Sequence, residues 1–421
     1  MEQEIFRING GFPLYGSVTL HGAKNAVLPL LAAAILTDKP VTICDCPDIT
    51  DVTNMLEILR VLNIKIDRNG REITVSGTPT MTDIPSRLSK VMRSSMFLLG
   101  ALLTVTGEVR LFTPGGCKIG ARPLDIHLDG LKQMGATVEF GDDYVHCFAK
   151  KLVGADIVMK YPSVGATENL MMSAVLAKGR TTLINCAREP EIVSIACGLK
   201  AMGAKIFGEG TSVMIIDGVD TLDSAKITPV EDRIVCGTTL SAVAVCGGRC
   251  IIENANIYNL QSVVETLRSA HCQIKDEGGC ITVKSDGIIL PSVITTGPYP
   301  LFPTDMQAQI MALQCSTEGI SSVTETVFEN RFQHIAEYKK MGASIRLNNR
   351  TATIYGKKLR PSLELQCPDL RGGAGIIIAA LRAHGESNVS NIEFVDRGYE
   401  NIDEMFRSLG AKISRRMVLK N

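Results

Sequence analysis

The sequence lacks net charge, long apolar runs and the familiar metal and phosphate signatures. Its 421 residues hold 44 Lys+Arg against 44 Asp+Glu. That balance disfavours a nucleic-acid partner held by bulk phosphate attraction, because such domains are basic overall. It leaves room for a local cationic pocket. Near the start, the apolar run from Ala26 to Leu36 spans 11 residues, whereas a membrane helix needs about 20. No basic segment precedes it, so the reading is of a cytoplasmic protein with no signal peptide and no membrane partner. Cys44/Cys46 and Cys246/Cys250 lack CxxC spacing, and the six His form neither H-x3-H nor HExxH, so no metal is expected. No GxxxxGK[ST] occurs and no GxGxxG follows a strand, which leaves P-loop and Rossmann readings unsupported.

What is present is a repeat. A length of 421 residues suggests two or three domains at roughly 150 residues each. Six segments share an amphipathic helix, a Gly-Ala or substitute, and a short strand: LEILRVLNIKI, LDGLKQMGATV, CGLKAMGAKI, VETLRSAHCQI, AEYKKMGASI and MFRSLGAKI. The glycine slot holds Asn63, Gly135, Gly203, His271, Gly342 and Gly410, in steps of 72, 68, 68, 71 and 68. Glycine there suits a helix end that needs a positive φ; Asn63 can adopt it, and His271 fits less well. Strand pairs such as IKIDRNGREITVSG read as hairpins.

Each unit also has a helix that is apolar nearly all round, such as AVLPLLAAAIL or GAGIIIAALRA, followed by a β-branched strand. The apolar helix is expected inside and the two-faced one outside. Units of this kind must stack to bury their faces, and six fit two globular domains of three. The last unit stops soon after one strand, at Met417–Leu419, while the first twenty residues form a lone β-like stretch. The simplest closure joins the two, giving domains at 21–229 and at 1–20 plus 230–421.

Charged residues cluster just before several buried helices: Lys24, Arg93, Asp305 and Arg371. Cations at a helix N-terminus oppose its dipole by a few tenths to about 1 kcal/mol. Lys24, Arg93 and Arg371 at one phase of the repeat point to a bound anion; alternatively, each turns back to an acidic partner or to solvent. Asp305 suits a general base or a first-turn acid favoured by the dipole. His127 reads as packed or capped. Of 13 Cys, most sit in apolar runs, as Cys246 and Cys315 do, and are expected to be inert. Cys117 lies in a glycine-rich loop beside Lys118 and Arg122, which favour a reactive thiolate.

The stretches HGAKNAVLPLLAA, PGGCKIGARPLDIH, YPSVGATEN, FPTDMQAQ, ETVFENRF, DLR and DRGYE together resemble the UDP-N-acetylglucosamine 1-carboxyvinyltransferase family of enolpyruvyl transferases. The resemblance covers about residues 8–415, with the motifs in order. It implies an α/β fold of two inside-out barrels, three repeats each, with the active site in the cleft between them. It implies transfer of the enolpyruvyl group of phosphoenolpyruvate to the 3′-hydroxyl of UDP-N-acetylglucosamine, the first committed step of peptidoglycan synthesis, with no cofactor. By motif, Asp305 would be the base and Cys117 the acid, open to a fosfomycin-type inhibitor. Lys24, Arg122 and Arg397 would hold phosphoenolpyruvate, with Arg93 and Arg331 lining the site. Asn25 and Val327 would contact sugar. Arg122, Pro123, Leu124, Asp125 and Ile126, with Ser163, Val164 and Gly165, would hold the uridine diphosphate. Asp369 and Arg371 would link the cleft or assist turnover.

Three positions depart from the family pattern: His21 where Ser is common, Tyr161 where some members have Lys, and Gly372-Gly373 where Ala-Ser or similar follows DLR. Two alternatives stand beside this reading. One is the shikimate-pathway enolpyruvyl transferase, which characteristically has Lys-Ser where this chain has Lys24-Asn25. The other is a catalytically silent paralogue that binds the nucleotide sugar.

Overall fold

The computed structural model describes residues 2–85, 88, 96–112 and 124–419. These residues form two compact units, one of residues 21–230 and one of residues 2–20 with 231–419. The chain opens with β1 (Glu2–Gly10) and β2 (Leu14–Thr19), both in the latter unit.

The unit of residues 21–230 contains three repeats. The first runs α1 (Lys24–Ala33), β3 (Val41–Ile43), α2 (Thr50–Val61), β4 (Lys65–Asn69) and β5 (Glu72–Ser76). The second has β6 (Asp83–Ile84), α3 (Leu98–Thr106), β7 (Glu108–Phe112), α4 (Asp125–Gln133), β8 (Thr137–Phe140) and β9 (Tyr144–Phe148). The third has β10 (Asp156–Val158), α5 (Val164–Ala174), β11 (Arg180–Ile184), α6 (Pro190–Ala201), β12 (Lys205–Phe207), β13 (Val213–Asp217) and a closing strand, β14 (Ala225–Ile227). The sheets are β14-β3-β5-β4, β6-β7-β9-β8 and β10-β11-β13-β12. In each, a short edge strand arriving from the preceding repeat lies parallel to its neighbour, and the other pairings are antiparallel. Because β14 returns to β3, the three repeats close into a ring.

The second unit repeats this plan. It contains α7 (Arg233–Cys246), β15 (Gly248–Glu253), α8 (Gln261–Ser269), β16 (Gln273–Asp276) and β17 (Cys280–Ser285). Then come β18 (Val293–Thr295), α9 (Gln307–Gln314), β19 (Ile320–Thr324), α10 (Ile335–Lys340), β20 (Ser344–Asn348) and β21 (Thr351–Tyr355). The last repeat has β22 (Leu365–Gln366), α11 (Leu370–Arg382), β23 (Gly385–Ser390), α12 (Glu393–Asp396), α13 (Ile402–Ser408) and β24 (Lys412–Leu419). Among the described residues this repeat has no hairpin partner of its own. Strand β1 fills the gap, antiparallel to both β23 (Phe6↔Val389) and β24 (Ile8↔Ile413). Strand β2 lies parallel to β15 and completes the first sheet of this unit.

The helices sort by burial as their composition demands. Every residue of α1 from Ala26 to Ala33 is buried, whereas α8 buries one stripe, Val263, Val264 and Leu267. Helices α7, α9 and α11 pack against one another inside their unit. Each fully buried Leu of such a helix contributes roughly 1.5–3 kcal/mol relative to exposure.

All six glycine-slot residues have positive φ, from 63° at Asn63 to 101° at Gly203, including 82° at His271. Each follows an outer helix whose last turn closes by a bond spanning five residues, such as Ala136 N–H to Leu131 O at 3.0 Å and Cys272 N–H to Leu267 O at 3.0 Å. A Cβ in that conformation costs about 1–2 kcal/mol relative to glycine. We therefore expect His271→Gly to stabilise the protein by about 1 kcal/mol, read as a higher urea midpoint. A lower midpoint would mean that the imidazole makes compensating contacts.

Candidate active site

In the second unit the start of each of the three buried helices carries charged residues. Helices α7 and α11 share one device, an Asp cap followed by an Arg. Asp232 accepts the Ile234 and Val235 N–H groups, both at 2.9 Å, and Arg233 next to it is 7% exposed. Asp369 accepts the Arg371 and Gly372 N–H groups at 3.0 and 2.9 Å. Helix α9 is instead preceded by a 3₁₀ turn, Thr304–Met306, which carries Asp305. The capping carboxylates complement the helix dipoles and offset the unfavourable placement of the cations.

Asp305 is clamped by two buried guanidinium groups. Arg331 donates to Oδ1 at 2.6 Å, and Arg371 donates through Nε to Oδ2 at 3.1 Å. Both Arg side chains are 5% exposed and that of Asp305 is 26% exposed, so two buried guanidinium groups orient a carboxylate that is itself only partly buried. The other arm of Arg331 donates to Thr304 Oγ1 at 2.9 Å. Beneath Arg371 lies the ring of Tyr399, 5.3 Å away, whose hydroxyl meets Thr238 and Gln309. An oriented, partly exposed carboxylate can accept a proton from a bound hydroxyl. Val327 lies in a loop after β19, its N–H bound to Glu325. Arg397 follows α12 directly and is half-buried.

In the first unit, Lys24 opens α1, and its Nζ lies 2.7 Å from Oδ2 of Asp51 in the first turn of α2. Asp51 is 1% exposed. So Lys24 and Arg371 both meet carboxylates, the alternative that the sequence left open, and Asn25 follows half-buried. The starts of α4 and α5 abut. Ser163 caps α5 by accepting the Ala166 N–H, and Val164 and Gly165 form its first turn. A Cβ on Gly165 would come within 3.2 Å of His127 Cε1. Leu124, Asp125 and Ile126 lead into His127, with Asp125 exposed and accepting the Ile126 N–H at 2.9 Å. Burial, opposed by Asp125, pushes the His127 pKa down to about 4. The neutral ring accepts at Nδ1 from the Asn169 amide at 3.1 Å, a tautomer assigned from that contact.

Arg93, Cys117, Arg122 and Pro123 lie outside the described residues. Among described thiols, burial pushes both Cys246 and Cys315 up to about 12, which makes them poor nucleophiles. No cluster of described His, Cys, Asp or Glu could hold a metal, and no helix among the described residues is long and apolar enough to cross a membrane. One departure from the family pattern has a packing reason: a Cβ on Gly373 would lie 2.6 Å from Val395 Cγ2 and 2.9 Å from Cys367 Sγ. Another, His21, pairs with Asp45 at 2.7 Å.

Sequence reasoning missed Glu325, Thr304 and the Asp232-Arg233 pair. Asp232-Arg233 had a signal, since it repeats the Asp…Arg spacing at the start of α11 to within one residue. Glu325 had none beyond its place inside ETVFENRF.

A family model described as EPSP synthase (3-phosphoshikimate 1-carboxyvinyltransferase) matches residues 8–406. The chain is 45% identical over 416 residues to UDP-N-acetylglucosamine 1-carboxyvinyltransferase 2 of Carboxydothermus hydrogenoformans, covering 98% of this chain and 99% of that one. It is 43% identical over 411 residues to the UDP-N-acetylglucosamine 1-carboxyvinyltransferase of Halothermothrix orenii, covering 97% and 99%. Among solved structures, the enolpyruvyl transferase NikO of Streptomyces tendae matches with a TM-score of 0.90 at 23% identity, covering 100% of both chains. An EPSP synthase from Acinetobacter baumannii matches with a TM-score of 0.76 at 17% identity, covering 98% of this chain and 100% of that one. These two structures establish the fold, and identity above 40% along nearly the whole length decides the rest: the chain belongs to the UDP-N-acetylglucosamine 1-carboxyvinyltransferase family of enolpyruvyl transferases.

Proposed function

We propose that the protein transfers the enolpyruvyl group of phosphoenolpyruvate to the 3′-hydroxyl of UDP-N-acetylglucosamine and releases phosphate. The observation that carries this is identity of 41–45% to relatives named for that activity, over nearly their full length. The reaction adds the sugar oxygen to C2 of phosphoenolpyruvate while C3 gains a proton. The tetrahedral intermediate then loses a proton from C3 as the C2–O bond to phosphate breaks. Asp305 takes the hydroxyl proton, and its orientation by two buried arginines while it remains partly exposed supports that role. Cys117 supplies the proton to C3 and is the thiol a fosfomycin-type epoxide would alkylate.

Lys24, Arg122 and Arg397 hold the carboxylate and phosphate of phosphoenolpyruvate, with Arg93 and Arg331 adding positive charge. Residues 122–126 and 163–165 hold the uridine diphosphate, a role supported by the abutting first turns of α4 and α5, whose N–H groups favour anions. Asn25 and Val327 contact the sugar, and Asp369 and Arg371 assist turnover. On this reading the protein acts in the cytoplasm at the first committed step of peptidoglycan synthesis, and its loss would affect cell shape and division.

The breadth of the matching family model raises shikimate 3-phosphate as a second acceptor. A coupled phosphate-release assay separates the two. Release is expected with phosphoenolpyruvate plus UDP-N-acetylglucosamine and at background with shikimate 3-phosphate; the opposite pattern would reassign the enzyme. Release with neither would favour the silent paralogue.

A further inference from the structure

We infer that Glu325 is a positioning residue for this transfer, one buried carboxylate that sets both Asp305 and the loop carrying Val327. The inference rests on the functional reading above and deepens it. Glu325 directly follows β19 and is fully buried. Its Oε1 accepts two backbone N–H groups, from Val327 at 2.8 Å and Phe328 at 3.1 Å. Its Oε2 accepts the Thr304 hydroxyl at 2.8 Å.

The second contact reaches the base. Because the Thr304 hydroxyl has a single hydrogen, donating it to Glu325 turns the oxygen's lone pairs toward other donors. Arg331 Nη1 uses one of them at 2.9 Å, while Arg331 Nη2 holds Asp305 at 2.6 Å. Glu325, Thr304, Arg331 and Asp305 thus form one chain of hydrogen bonds in which each orientation dictates the next. The rigid guanidinium fork converts the position of Thr304 into the position of the Asp305 carboxylate. The backbone of Glu325 anchors the residue independently, through its N–H to the Arg350 carbonyl at 2.8 Å.

Two strong acceptor oxygens are needed for this double task. Glutamine has one acceptor oxygen and one amide nitrogen. In Glu325→Gln, either the loop N–H groups or the Thr304 hydroxyl meet a donor, and the chain breaks or reverses. Thr304→Val removes only the branch toward Asp305, and Thr304→Ser retains it.

The test is steady-state kinetics on the full-length enzyme with phosphoenolpyruvate and UDP-N-acetylglucosamine, with thermal melts as the folding control. Glu325→Gln is expected to lower kcat at least tenfold and to raise the KM for the nucleotide sugar several-fold. Thr304→Val is expected to lower kcat with the nucleotide-sugar KM within twofold of wild type, and Thr304→Ser to restore kcat. A folded Glu325→Gln enzyme with both constants within twofold of wild type overturns the inference. If Glu325→Gln does not fold, equal kcat for Thr304→Val and Thr304→Ser overturns it instead. A wild-type chain that turns over neither acceptor overturns the functional reading and this inference with it.

Discussion

Replacing Asp305 by Asn is expected to lower kcat about 10³-fold, a loss of about 4 kcal/mol in transition-state stabilisation. The change is nearly isosteric, so the fold should persist. One side-chain atom becomes an amide nitrogen, which cannot accept a proton from the sugar hydroxyl. It also cannot accept from one of the two arginines that hold the carboxylate. Nucleotide-sugar binding, measured by calorimetry, should stay within a few-fold, because its diphosphate contacts are proposed at residues 122–126 and 163–165. A kcat loss below tenfold would move the role of base to another group. Loss of binding with turnover intact at saturation would recast Asp305 as a sugar contact.

The second large effect belongs to Asp51. Its carboxylate is buried and lies 2.7 Å from the Lys24 ammonium, whose side chain is 13% exposed. Removing one partner of such a pair leaves the other charge poorly compensated, at a cost of about 3 kcal/mol. For a unit of this size that lowers the thermal midpoint by roughly 6–12 °C. Asp51→Asn should show this shift and, through a displaced Lys24, a higher KM for phosphoenolpyruvate. An unchanged midpoint would show that Lys24 finds another anionic partner.

Sequence periodicity carried most of the architecture because the repeat is written in residues with strong local preferences. The six helix-end residues from Asn63 to Gly410 all occupy the left-handed region, even where His271 fits it poorly. All-apolar segments such as Ala26–Ala33 are buried on every side. The edge strands β6 and β22 stayed hidden because two residues give no period to read. The place of β1 followed from a missing partner in the last repeat, not from its own residues.

Among the candidate residues, charge placed just before buried helices led to Lys24, Asp305 and Arg371. What those charges meet depends on contacts between elements distant in the chain. Asp51, 27 residues from Lys24, and Arg331, 26 residues from Asp305, were fixed only by the fold. Glu325 was the least legible, since a carboxylate after a strand looks like any exposed turn acid until its burial is seen.

On the proposed function, this chain makes an enolpyruvyl ether at one defined hydroxyl. The most direct measurement is NMR of the product formed from phosphoenolpyruvate and UDP-N-acetylglucosamine. The expected result is a vinyl ether whose C2 carbon correlates with the proton on C3 of the glucosamine ring, with one phosphate released per ether. A correlation to another ring position, or phosphate released with no vinyl ether, would rule out transfer to the 3′-hydroxyl.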